Sequence, residues 1–376
     1  MRATLLACLA LLGTGCLRGA ETDDLALGDT EVETPALRSV VTTEPLWRVH
    51  TEAVRLEGEG GPIAGTLLLP DSPVAAPGVL LLGDGLGKDR NWEGPQLKGR
   101  NGSGRLLADA LARHGMAVLR VDPPGTGDTP ARDSLGFEDL LAVHQIALEG
   151  LAGHERVDGT HLFVLGHGEG GLAALRLAED PRVAGVGLLA TPGRPLVDRL
   201  GAQLEAAGRG EVRPAVESAL ADLIAGREVV SEEVSSDTDL QALFDGLQDP
   251  ATVAYHRELL ALDPVTLFPA ETTPVLLLHP GRSLHVDRGE AERLARAGGE
   301  RLTRVDVSHA DHALKVEERP RRALEPDVAL SYNAPGRALH PEVPAAIVRW
   351  VEARTRNVPI DAFYEEEDEG PTAALP

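Results

Sequence analysis

The chain has 376 residues, 43% of them hydrophobic and 25% charged, so it can bury a sizeable core and has a globular composition. Its formal net charge of −23 argues against nucleic acid as a partner, because phosphate binding needs a basic surface that releases counterions. Both cysteines, Cys8 and Cys16, lie at the N-terminus, so no disulfide braces the body of the chain.

The first element is an address. Arg2 precedes the apolar run Ala3 to Leu12, and the small residues Gly13, Thr14 and Gly15 lead to Cys16. The run is too short to span a membrane, which takes ~20 residues. The arrangement resembles a bacterial lipoprotein signal, which implies a signal peptide over 1–15, lipidation at Cys16 and anchoring in the cell envelope, with plain secretion as the alternative. Residues 16–45 then read as a flexible tether in which Glu21 to Glu33 holds six acids and no base.

From residue 46 the pattern becomes regular. Val54 to Leu56 and Ile63 to Leu69 read as an antiparallel pair, and Pro77 to Gly83 as a short apolar strand buried on both faces. There follow a helix over Arg105 to His114, a strand Ala117 to Val121, a helix Phe137 to Leu151, a strand His161 to Leu165, a helix Leu172 to Ala178 and a strand Val183 to Leu189. Residues 193–265 break the alternation with apolar positions at helical spacing, as in Leu196, Leu200 and Leu204, and are expected to form a helical cap over the strand ends. A strand Pro274 to Leu278, a helix Arg288 to Ala297, a strand Leu302 to Val307 and a helix Glu342 to Arg354 close the domain near residue 358. Strands alternating with helices predict an α/β fold with a mostly parallel, doubly wound sheet. Residues 359–376, with five consecutive acids at Glu365 to Glu369, read as a solvated tail.

Several stretches in this order resemble the α/β-hydrolase superfamily, in particular its serine-aminopeptidase, esterase and acyl-hydrolase-like branch. They are Ile63 to Pro70, Asp89-Arg90-Asn91, Leu119 to Asp122 with Gly125 to Gly127, Leu162 to Gly171, Pro274 to His279, and Asp311-His312. The resemblance implies a nucleophilic serine on a sharp strand-to-helix turn, Gly-x-Ser-x-Gly, with an acid and then a histidine later in the chain. This chain has Gly166, His167, Gly168, Glu169 and Gly170 there, so the turn is kept and Gly168 stands in place of the nucleophile. Ser103, Ser134 and Ser308 have no such flanks. The acid position falls on Ser283, with Asp287 as the nearby substitute, and His312 matches the family histidine, as a relic or as a surviving base. The oxyanion region, His-Gly-x-Gly in relatives, becomes Leu82, Gly83, Asp84 and Gly85, with Glu169 the residue after the turn. A carboxylate at Asp84 would oppose the negative charge that acyl transfer develops.

Gly166, Gly168 and Gly171 also satisfy Gly-x-Gly-x-x-Gly, but the dinucleotide reading needs an acid after the next strand, where the chain has Leu188, Leu189, Ala190 and Thr191. His309 and His312 form an i, i+3 pair without a third ligand, so neither cofactor nor metal is expected. The function expected is that of an envelope lipoprotein with a degenerate triad, binding a small apolar or ester-like ligand in its capped cleft or meeting a protein partner. The alternatives are a hydrolase of non-standard mechanism, in which His312 activates water directly or a nucleophile comes from the cap, and a structural role; another hydroxyl, thiol or carboxylate beside that imidazole, ready for substrate, would overturn the reading of a silenced enzyme. Restoring the triad by Gly168→Ser with Ser283→Asp is expected to return ester hydrolysis if the rest of the scaffold is intact.

Overall fold

The strand Ala76–Leu82 (β3) shows how the sequence selects the architecture: Val79 and Leu81 enter one apolar layer and Leu80 and Leu82 the other, each at most 2% exposed. Only a strand covered on both faces buries both of its alternating sets. The molecule is known from a computed structural model, which describes residues 46–355 apart from 96, 207 and 269–272. The expected signal, tether and acidic tail lie outside the described residues.

Eight strands form one sheet in the order β1-β2-β4-β3-β5-β6-β7-β8. They are β1 (Val49–Gly58), β2 (Gly61–Pro70), β3, β4 (Ala117–Val121), β5 (Val157–His167), β6 (Val183–Leu189), β7 (Val275–Pro280) and β8 (Leu302–Val307). β2 pairs antiparallel with both β1 and β4, and the pairings from β4 through β8 are parallel. α1 (Ser103–Arg113) and the last helix, α10 (Glu342–Thr355), cover one face through Leu107, Leu111, Ile347 and Val351. α2 (Phe137–Ala152), α3 (Gly170–Leu177) and α9 (Arg288–Gly298) cover the other through Val143, Ala147, Leu175 and Leu294. Asp287 caps α9 by accepting the Glu290 N–H at 2.9 Å.

The expected helical insertion lies between β6 and β7. It holds α4 (Leu196–Ala206), α5 (Arg213–Ile224), α6 (Ser231–Val234), α7 (Thr238–Leu247) and α8 (Val253–Ala261). Its buried leucines, among them Leu200, Leu220, Leu243 and Leu259, join the same apolar layer as α2 and α3, so the insertion is packed onto the domain. β5 starts at Val157, four residues before the expected strand, and its register with β6 shifts between Leu162 and Phe163. Among the described residues no helix is long and apolar enough to cross a membrane.

Candidate functional site

The C-terminal ends of parallel strands are where an open α/β sheet places its chemistry, and four of this chain's segments converge there. Asp84 follows β3, Gly168 and Glu169 follow β5, Ser283 follows β7, and His312 follows β8. Gly168 turns with a positive φ of 55°, so the strand-to-helix bend is intact without its nucleophile.

The space beside Gly168 is occupied. A Cβ there would stand 2.5 Å from Asp84 Cγ and 3.1 Å from Asp84 Cβ, with Oδ1 closer still. Asp84 Oδ1 accepts the Glu169 N–H at 3.0 Å, and its Oδ2 accepts Lys88 Nζ at 2.7 Å. The residue after the nucleophile supplies one of the two oxyanion-hole donors in this fold. Asp84 therefore takes both the room of a serine side chain and a donor meant for the reacting carbonyl. Burial alone would raise the carboxyl of Asp84, but Lys88 and the neighbouring His312 hold it well below the ordinary carboxylate range.

His312 lies between two side chains. Its Nδ1 is 3.2 Å from Ser283 Oγ and its Nε2 is 3.8 Å from Asp84 Oδ2. Ser283 Oγ already accepts N–H groups from His285 and Val286, both at 3.1 Å. With both lone pairs filled, its hydrogen goes to Nδ1. The neutral ring therefore carries its proton on Nε2, facing the cleft, the reverse of the arrangement in which a histidine accepts a proton from a nucleophile. Burial lowers the pKa of His312, with Asp84 opposing, so the neutral form is favoured.

The substitute acid Asp287, and Asp311 beside His312, are committed elsewhere. Asp287 pairs with Arg194 and caps α9; Asp311 meets Arg337 at 2.7 Å and accepts the Lys315 N–H. His309 is exposed while His312 is buried, so the pair does not converge. Ligand atoms of Asp84, His167 and His312 do lie within 4.8 Å of one another. A metal there would have to displace the Lys88 ammonium and the Nε2 proton together, so the donor set does not fit one. His167 spends Nε2 on the His312 carbonyl at 2.7 Å and stacks on Trp92 with ring centroids 4.7 Å apart.

Several members of the cluster were not legible in the sequence. Lys88 is one, although its spacing of four from Asp84 in a glycine-rich loop is a local hint. Tyr255 of α8, whose hydroxyl donates to Glu169 Oε2 at 2.8 Å, and Arg199 of α4, which donates to the His285 carbonyl at 3.0 Å, come from the insertion and carry no motif. Arg90, from the Asp89-Arg90-Asn91 stretch, donates its backbone N–H to Asp122 Oδ1 at 2.8 Å, and its guanidinium lies 3.5 Å from Oδ2.

The sequence pattern of the alpha/beta hydrolase family matches residues 79–327. The chain belongs to that family. Among solved structures, this alpha/beta hydrolase is similar to the hypothetical protein PA2218 from Pseudomonas aeruginosa. The identity is 18% over 81% of this chain and 94% of that one, with a TM-score of 0.51. It is also similar to DcsB, solved with its substrate analogue, at 12% identity over 81% of this chain and all of the other, with a TM-score of 0.50. At these identities the likeness concerns the fold. No curated protein matches the sequence.

Proposed function

We propose that this alpha/beta hydrolase family member does not carry out acyl transfer through a covalent serine intermediate, and instead binds a small apolar or ester-like ligand beneath its helical cap. The observation that carries the reading is the Asp84 carboxylate standing where a side chain at position 168 would be. Asp84 is also a carboxylate beside His312, but it is not ready for substrate: it is only 4% exposed, and both its oxygens are engaged by Glu169 N–H and Lys88. His312 points an N–H, and no lone pair, toward the cleft, which removes the general base. Retention of a packed insertion over the strand ends supports binding as the surviving role. Export and envelope anchoring through Cys16 belong to the same proposal and rest on the N-terminal sequence.

Labelling with a serine-directed fluorophosphonate tests it. The wild-type protein is expected to stay unlabelled, and Gly168→Ser with Ser283→Asp is also expected to stay silent, because Asp84 still fills the site. Adding Asp84→Ala to that pair clears the space and frees the Glu169 N–H, and this triple variant is expected to label. Labelling of the wild-type protein would overturn the proposal.

A further inference from the structure

Glu169 sits at the seam between the sharp turn and the cap, and among the described residues no cation forms an ion pair with its carboxylate. Its Oε2 accepts the Tyr255 hydroxyl from α8 at 2.8 Å. It lies against Gly85, where a Cβ would overlap Oε2 and come within 3.2 Å of the Tyr255 hydroxyl, so the loop after β3 is shaped to admit it. The charged groups around it are Asp84 and Lys88 from that loop and Arg199 from α4. Both cations are engaged: Lys88 bonds Asp84, while Arg199 stands 3.7 Å from Glu290 and bonds the His285 carbonyl. An acid half-buried in this way, beside an ionised Asp84, is favoured in its protonated form while the cap is down.

We propose that Glu169 is a proton-operated latch, which holds α8 against the turn through Tyr255 when protonated and releases it when ionised. Release gives the charge access to water, and it uncovers the strand ends to a ligand. The Tyr255 backbone joins the cap to the main domain as well, donating to the Leu135 carbonyl at 3.1 Å, so movement of α8 is transmitted to the loop that precedes α2. Burial first, and Asp84 second, raise the Glu169 carboxyl from its ordinary 4.5 to about 7, outweighing the Tyr255 hydroxyl, whose bond by itself favours the ionised form. The closed state thus binds the proton more tightly than the open one, and opening is favoured as pH rises through that window.

Hydrogen exchange of the α8 amides, corrected for the intrinsic pH dependence of exchange, tests the latch in the full chain. Between pH 6 and pH 8.5 the protection is expected to fall about tenfold in the wild-type protein. In Glu169→Gln, which stays neutral and keeps an acceptor for Tyr255, the fall is expected to vanish. Tyr255→Phe is expected to lower α8 protection already at pH 6, and it decides the matter should Glu169→Gln not fold. Protection of wild-type α8 that is independent of pH, or an undiminished fall in Glu169→Gln, would overturn the latch. Neither result depends on fluorophosphonate labelling, so the latch and the lost nucleophile stand or fall separately.

Discussion

Gly168→Ser is the perturbation whose outcome the geometry determines most directly. The new Cβ would stand 2.5 Å from Asp84 Cγ, and its backbone must hold a φ of 55°, a left-handed conformation that costs an L-residue about 1–2 kcal/mol. Asp84 has to leave, surrendering its bonds to Glu169 N–H and Lys88 Nζ, and charge-assisted hydrogen bonds contribute roughly 1.5–3 kcal/mol each. Allowing for partial relaxation, Gly168→Ser is expected to destabilise the fold by about 3–6 kcal/mol, on the order of 10 °C in Tm for a domain of this size. Asp84→Ala removes the obstacle. In the double variant the two costs overlap, so the pair is expected to be less destabilised than the sum of the single changes by at least about 2 kcal/mol. Urea unfolding of the four proteins at pH 7 measures this. Additivity within about 0.5 kcal/mol, or a Gly168→Ser protein as stable as wild type, would refute the packing of Asp84 against the turn.

His144, buried on α2, has its pKa lowered to about 4 by burial, against an ordinary 6.5. Between those values the unfolded chain holds a proton that the folded one excludes, so stability is lost as pH falls from 6.5 toward 4. Urea midpoints at pH 7 and pH 4.5 should show that loss, and His144→Leu should reduce it without abolishing it, since burial also lowers His167 to about 3. At the N-terminus, expression with a radiolabelled fatty acid is expected to label the wild-type protein and not Cys16→Ser; equal labelling of both would remove the proposed anchor.

The sheet was legible because burial writes itself into strands. Val183 to Leu189 holds no polar side chain and Ala117 to Val121 holds only Arg120, and the structure begins and ends both strands at those residues. The start of β5 was missed because Val157 to Thr160 combines aspartate, glycine and threonine, residues that read as a turn until a neighbouring strand pairs with them. The turn at Gly168 was legible from its glycines. What occupies it was not, because Asp84 precedes its bonding partner Glu169 by 85 residues and reaches the site only when β3 and β5 pair, Leu82 opposite Gly166. The sequence shows Asp84 as a charge whose sign opposes acyl transfer. It does not show the packing that makes Gly168→Ser with Ser283→Asp insufficient while Asp84 remains. For Tyr255 and Arg199 the obstacle is general: an insertion of short amphipathic helices reveals its apolar face by periodicity, while which polar side chain faces the site depends on docking.

Loss of a nucleophile by simple decay would leave a serine-sized gap and an unpaired oxyanion donor at the base of the cleft. Neither is found among the described residues. The neighbouring loop fills the gap with Asp84, Glu169 N–H is satisfied by its carboxylate, Lys88 neutralises the charge, and Ser283 turns His312 so that an N–H faces Asp84. Each replacement supports the next: an ionised Asp84 without Lys88 would be a buried bare charge, and a serine at 168 would displace it. The states with and without a nucleophile are therefore separated by coupled changes at 84, 168 and 283. On this argument no single substitution restores the reaction, and an activity regained by Gly168→Ser alone would show that Asp84 yields more readily than its bonds imply.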